Sequence, residues 1–128
     1  NTVLFLMEPI RADWVDAEHG EIVAFKYFMK NIEKLELPVN AFVSIKPHPS
    51  DPPGKYDRLV EKYHENRVRV DESSTLAELI ASSSVVVGCQ TYAMVVALAS
   101  GRKVYSALPP EAAPCMLPQK EIIHISEL

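Results

Sequence analysis

Two short runs in this chain lack any polar alternation: Thr2–Met7 reads TVLFLM and Ser84–Gly88 reads SVVVG. A strand with one face in water alternates apolar and polar residues, whereas a continuous apolar run belongs to a strand covered on both faces. Double coverage is the condition of a strand inside a parallel sheet flanked by helices, and the intervening segments supply those helices. From His19 to Leu35, the residues Ile22, Val23, Phe25, Phe28, Met29, Ile32 and Leu35 recur at helical spacing. Asn40–Lys46 (NAFVSIK) reads as a second strand, stopped by Pro47, which cannot donate to a ladder. Gly54–His64 carries Tyr56, Leu59, Val60 and Tyr63 at helical spacing, and Arg67–Val70 is a short third strand. Thr75-Leu-Ala-Glu78 reads as a capping box opening a helix over Leu76–Ala81. Tyr92–Ser100 is helical, with Gly101 where a C-terminal glycine belongs. Lys103–Ser106 and Ile122–Ile125 are further strands, and Pro109, Pro110, Pro114 and Pro118 hold the stretch between them as a loop.

The order βαβαβαβαβ, then loop, then β predicts an α/β fold. It is a Rossmann-like, doubly wound parallel sheet of about six strands with helices on both faces and right-handed crossovers. The expected strand order is 3-2-1-4-5-6, with Phe5, Val43, Val86 and Val104 on interior strands. Residues 1–128 amount to one domain with one core. The chain opens at Asn1 and enters a strand at once, so we read it as a domain excised from a two-domain protein, without a signal peptide. A net charge of −4, with the basic residues dispersed, argues against nucleic acid as partner. Cys89 and Cys115 form no C-x-x-C and read as reduced thiols, and the four histidines show no ligand spacing. Asp71 and Glu72 lack the further ligands of a metal site, so neither metal nor cofactor is expected. A cytoplasmic setting follows from these features.

Doubly wound sheets bind ligands beyond the carboxyl ends of their strands. The segments there are Glu8–Trp14, Pro47–Gly54, Asp71–Thr75, Cys89–Tyr92 and Ala107–Pro118. In Lys46-Pro-His-Pro49 two prolines stiffen the backbone around His48, so its imidazole could donate to a phosphate oxygen with Lys46 adding charge. The same residues also describe a stiff turn with a surface histidine. In Gly88-Cys-Gln-Thr-Tyr92 a strand gives way to a helix, which would offer free N–H groups to an anion. Simple capping by Thr91 is the other reading. The segment is neither G-x-G-x-x-G nor a Walker loop.

These motifs occur in one order: K-P-H-P, the helix start Ser74-Thr-Leu-Ala-Glu-Leu79, and V-V-V-G-x-x-T followed by A-L-A-S-G-R-K-V. Together they resemble the C-terminal domain of GT-B glycosyltransferases, closest to bacterial sialyltransferases and related capsule or lipopolysaccharide transferases. The resemblance runs from about Asn40 to Leu108. It implies that His48 and Pro49 bind the donor phosphate, with His48 the catalytic contributor, that Lys46 approaches the base, and that Glu78 holds the ribose hydroxyls. Glu78 could equally serve only the capping box. The family carries a serine pair where this chain has Cys89, Gln90 and Thr91, which leaves the phosphate grip to Gln90, Thr91 and the backbone. Arg11 is a further candidate for donor phosphate or a sugar carboxylate, and Asp13 and Asp16 would lie near the acceptor.

The function expected is donor binding for a nucleotide-sugar-dependent glycosyltransferase of bacterial surface polysaccharide synthesis, with a CMP- or UDP-linked sugar as ligand. A glycan or lipid-linked acceptor and the general base would belong to an N-terminal half. The fragment alone would then be inactive, and peripheral membrane association of the full protein stays open. Two alternatives stand beside it: a nucleotide-sugar 2-epimerase-like domain, and a non-catalytic α/β binding or regulatory domain.

Overall fold

The computed structural model describes residues 1–10 and 19–128. Its strands are β1 (Thr2–Leu6), β2 (Phe42–Lys46), β3 (Val68–Val70), β4 (Val85–Gly88), β5 (Lys103–Ser106) and β6 (Ile123–His124). The α-helices are α1 (Gly20–Lys30), α2 (Asp57–Lys62), α3 (Leu76–Ser82) and α4 (Ala93–Ala99). All six strands are parallel, in the order β3-β2-β1-β4-β5-β6, which is the expected doubly wound arrangement.

Strand periodicity divides the apolar residues into two cores. Val3, Phe5, Val43, Ile45, Val85 and Val87 point to one face, where Phe25 and Phe28 of α1 and Leu59 of α2 cover them. Leu4, Leu6, Val86 and Val104 point to the other, under Leu79 and Ile80 of α3 and Met94 and Ala97 of α4. In-register pairing aligns these rows, Val3 with Val43 and Val85, Leu4 with Val86 and Val86 with Val104. The first core is anchored by Phe5, whose ring lies 4.9 Å from that of Phe25 and 5.3 Å from that of Phe28. The helical aromatics are packing residues, as their spacing implies: Phe25, Phe28 and Tyr56 are buried, and Tyr27 and Tyr63 pack partly buried against the same core.

Several boundaries are tighter than the periodicity suggests, for local reasons. Helix α1 ends at Lys30 because the Asn31 amide bonds back to the Tyr27 carbonyl at 2.8 Å, and Ile32–Lys34 continues only as one 3-10 turn. Strand β2 begins at Phe42 because Asn40 takes a left-handed conformation, with φ of 59°. The last strand shrinks to two residues, yet Ile122 and Ile125 still enter opposite cores. No helix among the described residues is long and apolar enough to cross a membrane.

The end of α4 shows how a backbone requirement selects one residue. Gly101 N–H donates to Leu98 O and Arg102 N–H to Ala97 O, both at 3.0 Å, while Gly101 adopts φ of 79°. A β-carbon added there would meet no atom within 4 Å. Gly101→Ala should therefore cost about 1–2 kcal/mol from left-handed strain alone. Urea denaturation should show the midpoint falling with an unchanged slope; an unchanged midpoint would mean the turn relaxes freely.

Candidate functional site

The reversal in strand order places the carboxyl ends of β1 and β4 side by side, and the first polar residue after β1 is Glu8. Its carboxylate reaches across the crevice. Oε2 accepts from Cys89 N at 2.5 Å, and both oxygens accept from Gln90 N, at 3.1 and 3.2 Å. A β-carbon on Gly88 would crowd Met94 Sδ at 3.0 Å and lie in ordinary contact with Glu8 Oε2 at 3.4 Å. Burial pushes the Glu8 carboxyl up from its ordinary range, and the two backbone bonds and the neighbouring His48 pull it back only in part. The N–H groups expected to be free for a ligand are thus occupied by the protein itself.

Beside this bridge lies a cleft of about 110 Å³ lined by Glu8, Lys46, His48, Pro49, Leu76 and Thr91, among others. Lys46 and His48 also border a neighbouring hollow of about 300 Å³, together with Asp51, Asp71 and Glu72. The two residues therefore stand on the ridge between the hollows. The loop after β2 holds His48 in place. Ser50 N donates to His48 Nδ1 at 3.1 Å, and the Ser50 hydroxyl lies 2.7 Å from the same nitrogen. A backbone N–H can only donate, so Nδ1 presents its lone pair and Nε2–H is the ring's donor.

Asp51 ties the loop down. Its carboxylate, with the side chain only 4% exposed, accepts from His48 N at 3.0 Å, Lys55 Nζ at 2.8 Å and Tyr56 OH at 2.6 Å. Burial by itself would raise the Asp51 carboxyl, but these donors and the Lys55 charge outweigh it and hold it below the usual range. The Tyr56 hydroxyl is pushed far up by burial and by its bond to Asp51. Lys55 also lies 3.7 Å from the buried Glu21 carboxylate.

The remaining sequence candidates divide. Lys46, His48, Pro49 and Thr91 come together in the cleft. Thr91 also caps weakly, its hydroxyl accepting from Ala93 N at 3.4 Å. Gln90 turns away: its side-chain Oε1 accepts from Met116 N at 3.3 Å. Glu78 closes the capping box, accepting from Thr75 N at 2.9 Å while donating its own N–H to Thr75 Oγ1 at 3.2 Å. The bond from the Thr75 backbone holds the Glu78 carboxyl below its ordinary range. Its helix neighbour Leu76, rather than Glu78, lines the cleft among the described residues. Arg11, Asp13 and Asp16 lie outside the described residues. Asp71 serves its own turn, accepting from Ser73 N, Ser74 N and the Ser74 hydroxyl. Among the described residues no group of three or more His, Cys, Asp or Glu side chains could hold a metal ion.

Sequence reading missed the roles of Glu8, Ser50 and Asp51. The signal for Glu8 was its position, since a 3-2-1-4 strand order must bring the residue after β1 against the β4–α4 turn. Tyr92 and Met116 are each largely exposed, and Met116 N is bonded to the Gln90 side chain. Another hollow of about 290 Å³ under the Leu108–Cys115 loop has, among the described residues, only His124 and Glu127 as ionisable oxygen or nitrogen groups, so among them it offers an anion no lysine or arginine. Compared with protein-family models, curated proteins and solved structures, the chain matches none.

Because the folded Asp51 carboxyl is held low, its contribution is complete above the unfolded value of about pH 4 and is lost as pH falls through the lower folded value. Asp51→Asn should cost about 1.5–3 kcal/mol at neutral pH and flatten the acid limb of the stability profile. Denaturation between pH 2 and 7 (roughly the span of carboxylate titration) checks this. An acid limb identical in both proteins would refute the assignment.

Proposed function

We propose that this chain is the donor-nucleotide-binding domain of a glycosyltransferase of bacterial surface polysaccharide synthesis. The observation that carries the reading is the meeting of Lys46, His48 and Thr91 in one cleft at the strand carboxyl ends. An ammonium group and an imidazole Nε2–H on one rigid ridge suit a phosphate oxygen, by charge from the first and by a directed hydrogen bond from the second. The adjoining hollow offers the Glu72 carboxylate toward the hydroxyls or exocyclic amine of a nucleoside.

In the reaction, the bond between the sugar's anomeric carbon and the donor phosphate oxygen breaks. A new bond forms to an acceptor hydroxyl, whose proton passes to a base on the acceptor-binding half. His48 and Lys46 stabilise the negative charge that grows on the leaving phosphate. A CMP- or UDP-linked sugar is the donor, and the acceptor is a glycan or lipid-linked glycan. No step in this scheme calls for a metal.

Amide NMR titration of the 128-residue chain with CMP, UDP, GDP and ADP tests the reading. A cytidine or uridine nucleotide should bind at about millimolar Kd, or roughly 4 kcal/mol, with shifts in the loops after β2 and β3 and at Thr91 itself. His48→Ala should weaken that binding by about 10- to 100-fold, the loss of a hydrogen bond to a charged group, and leave the melting temperature unchanged. Absence of shifts in all three segments would leave a regulatory domain as the better description.

A further inference from the structure

The cleft has two places where a negative group can be held. One is the ridge of Lys46 and His48. The other is the pair of N–H groups on Cys89 and Gln90, across the β1–β4 crevice, and there the Glu8 carboxylate already sits. We infer that Glu8 is a specificity-determining residue, filling the second anion position from within and limiting the cleft to ligands with a single phosphate. The inference deepens the donor-binding reading and rests on it.

The geometry excludes a shared occupancy. Glu8 engages both N–H groups, Oε2 accepting from Cys89 N and both oxygens accepting from Gln90 N. A pyrophosphate held by Lys46 and His48 would carry its second phosphate toward a carboxylate rather than toward N–H donors. Two negative groups at such a distance in a partly desolvated cleft repel strongly. Glu8 is half-buried and lines the same cleft as His48, so its charge faces the ligand. A sugar linked through one phosphate avoids this contact; a diphosphate-linked sugar does not.

The test compares CMP with CDP, and phosphate with pyrophosphate, on the wild-type, Glu8→Gln and Glu8→Ala chains. Binding is followed by NMR at the Cys89 and Gln90 amides. On the wild-type chain CDP should bind no tighter than CMP, with both amides unmoved. In the variants CDP should gain about tenfold over CMP, with both amides shifting. The wild-type comparison depends on no variant's folding. Tighter CDP binding to the wild type with shifts at Cys89 and Gln90 overturns the inference, as does a CDP-to-CMP ratio the same in all three chains. If neither nucleotide binds the wild type, the donor-binding reading fails, and pyrophosphate alone decides the role of Glu8. Movement of the two amides in the variants but not in the wild type upholds that role; no movement in the variants overturns it.

Discussion

Strand β1 is hydrogen-bonded to β2 on one side and β4 on the other, and its side chains enter both cores. Val3, Leu4 and Phe5 are wholly excluded from solvent. The rest of the molecule is arranged around this strand. The crossovers through α1 and α2 cover one face and those through α3 and α4 cover the other, so the winding reverses beside β1. That reversal opens a crevice at the carboxyl ends of β1 and β4, because the helices leave those ends in opposite directions. A central strand fixed so completely also fixes where its first polar residue emerges.

Two carboxylates near the cleft illustrate how partners, rather than burial alone, set an acid's behaviour. Asp51 receives a lysine ammonium, a phenol and a backbone N–H, and its carboxyl is held low. Glu8 receives backbone N–H groups only, and desolvation leaves its carboxyl high. The first stabilises the loop that carries His48. The second spans the crevice and replaces the external anion that the turn after β4 would otherwise attract. Loop and crevice together give the cleft one wall of donors, the Lys46 ammonium and the His48 ring, and one wall with the Glu8 carboxylate.

The elements themselves were legible in the chain because each is specified locally. The run VLFLM after Thr2 has no polar residue to offer a solvent-facing side, Thr75 and Glu78 can satisfy each other's N–H groups within one turn, and Gly101 is the residue that a left-handed helix end favours. The same is true of Lys46-Pro-His-Pro49, whose prolines and position after a strand mark it as a rigid strand-end loop. Helix and strand ends were less legible. The early stop of α1 depends on one Asn31 side-chain bond, and the late start of β2 on the left-handed Asn40.

What the sequence by itself determined was therefore the fold class, the strand order and the presence of Lys46, His48 and Thr91 at strand ends, since periodicity and the topology of parallel sheets act through near neighbours. What only the tertiary structure decided was which of those groups were still free to meet a ligand. The bonds from Cys89 and Gln90 to Glu8 join residues more than eighty positions apart, and Gln90 turns to a loop twenty-six positions on. No local pattern encodes such pairings, because a carboxylate finds its N–H partners only after the strands that carry them have packed side by side.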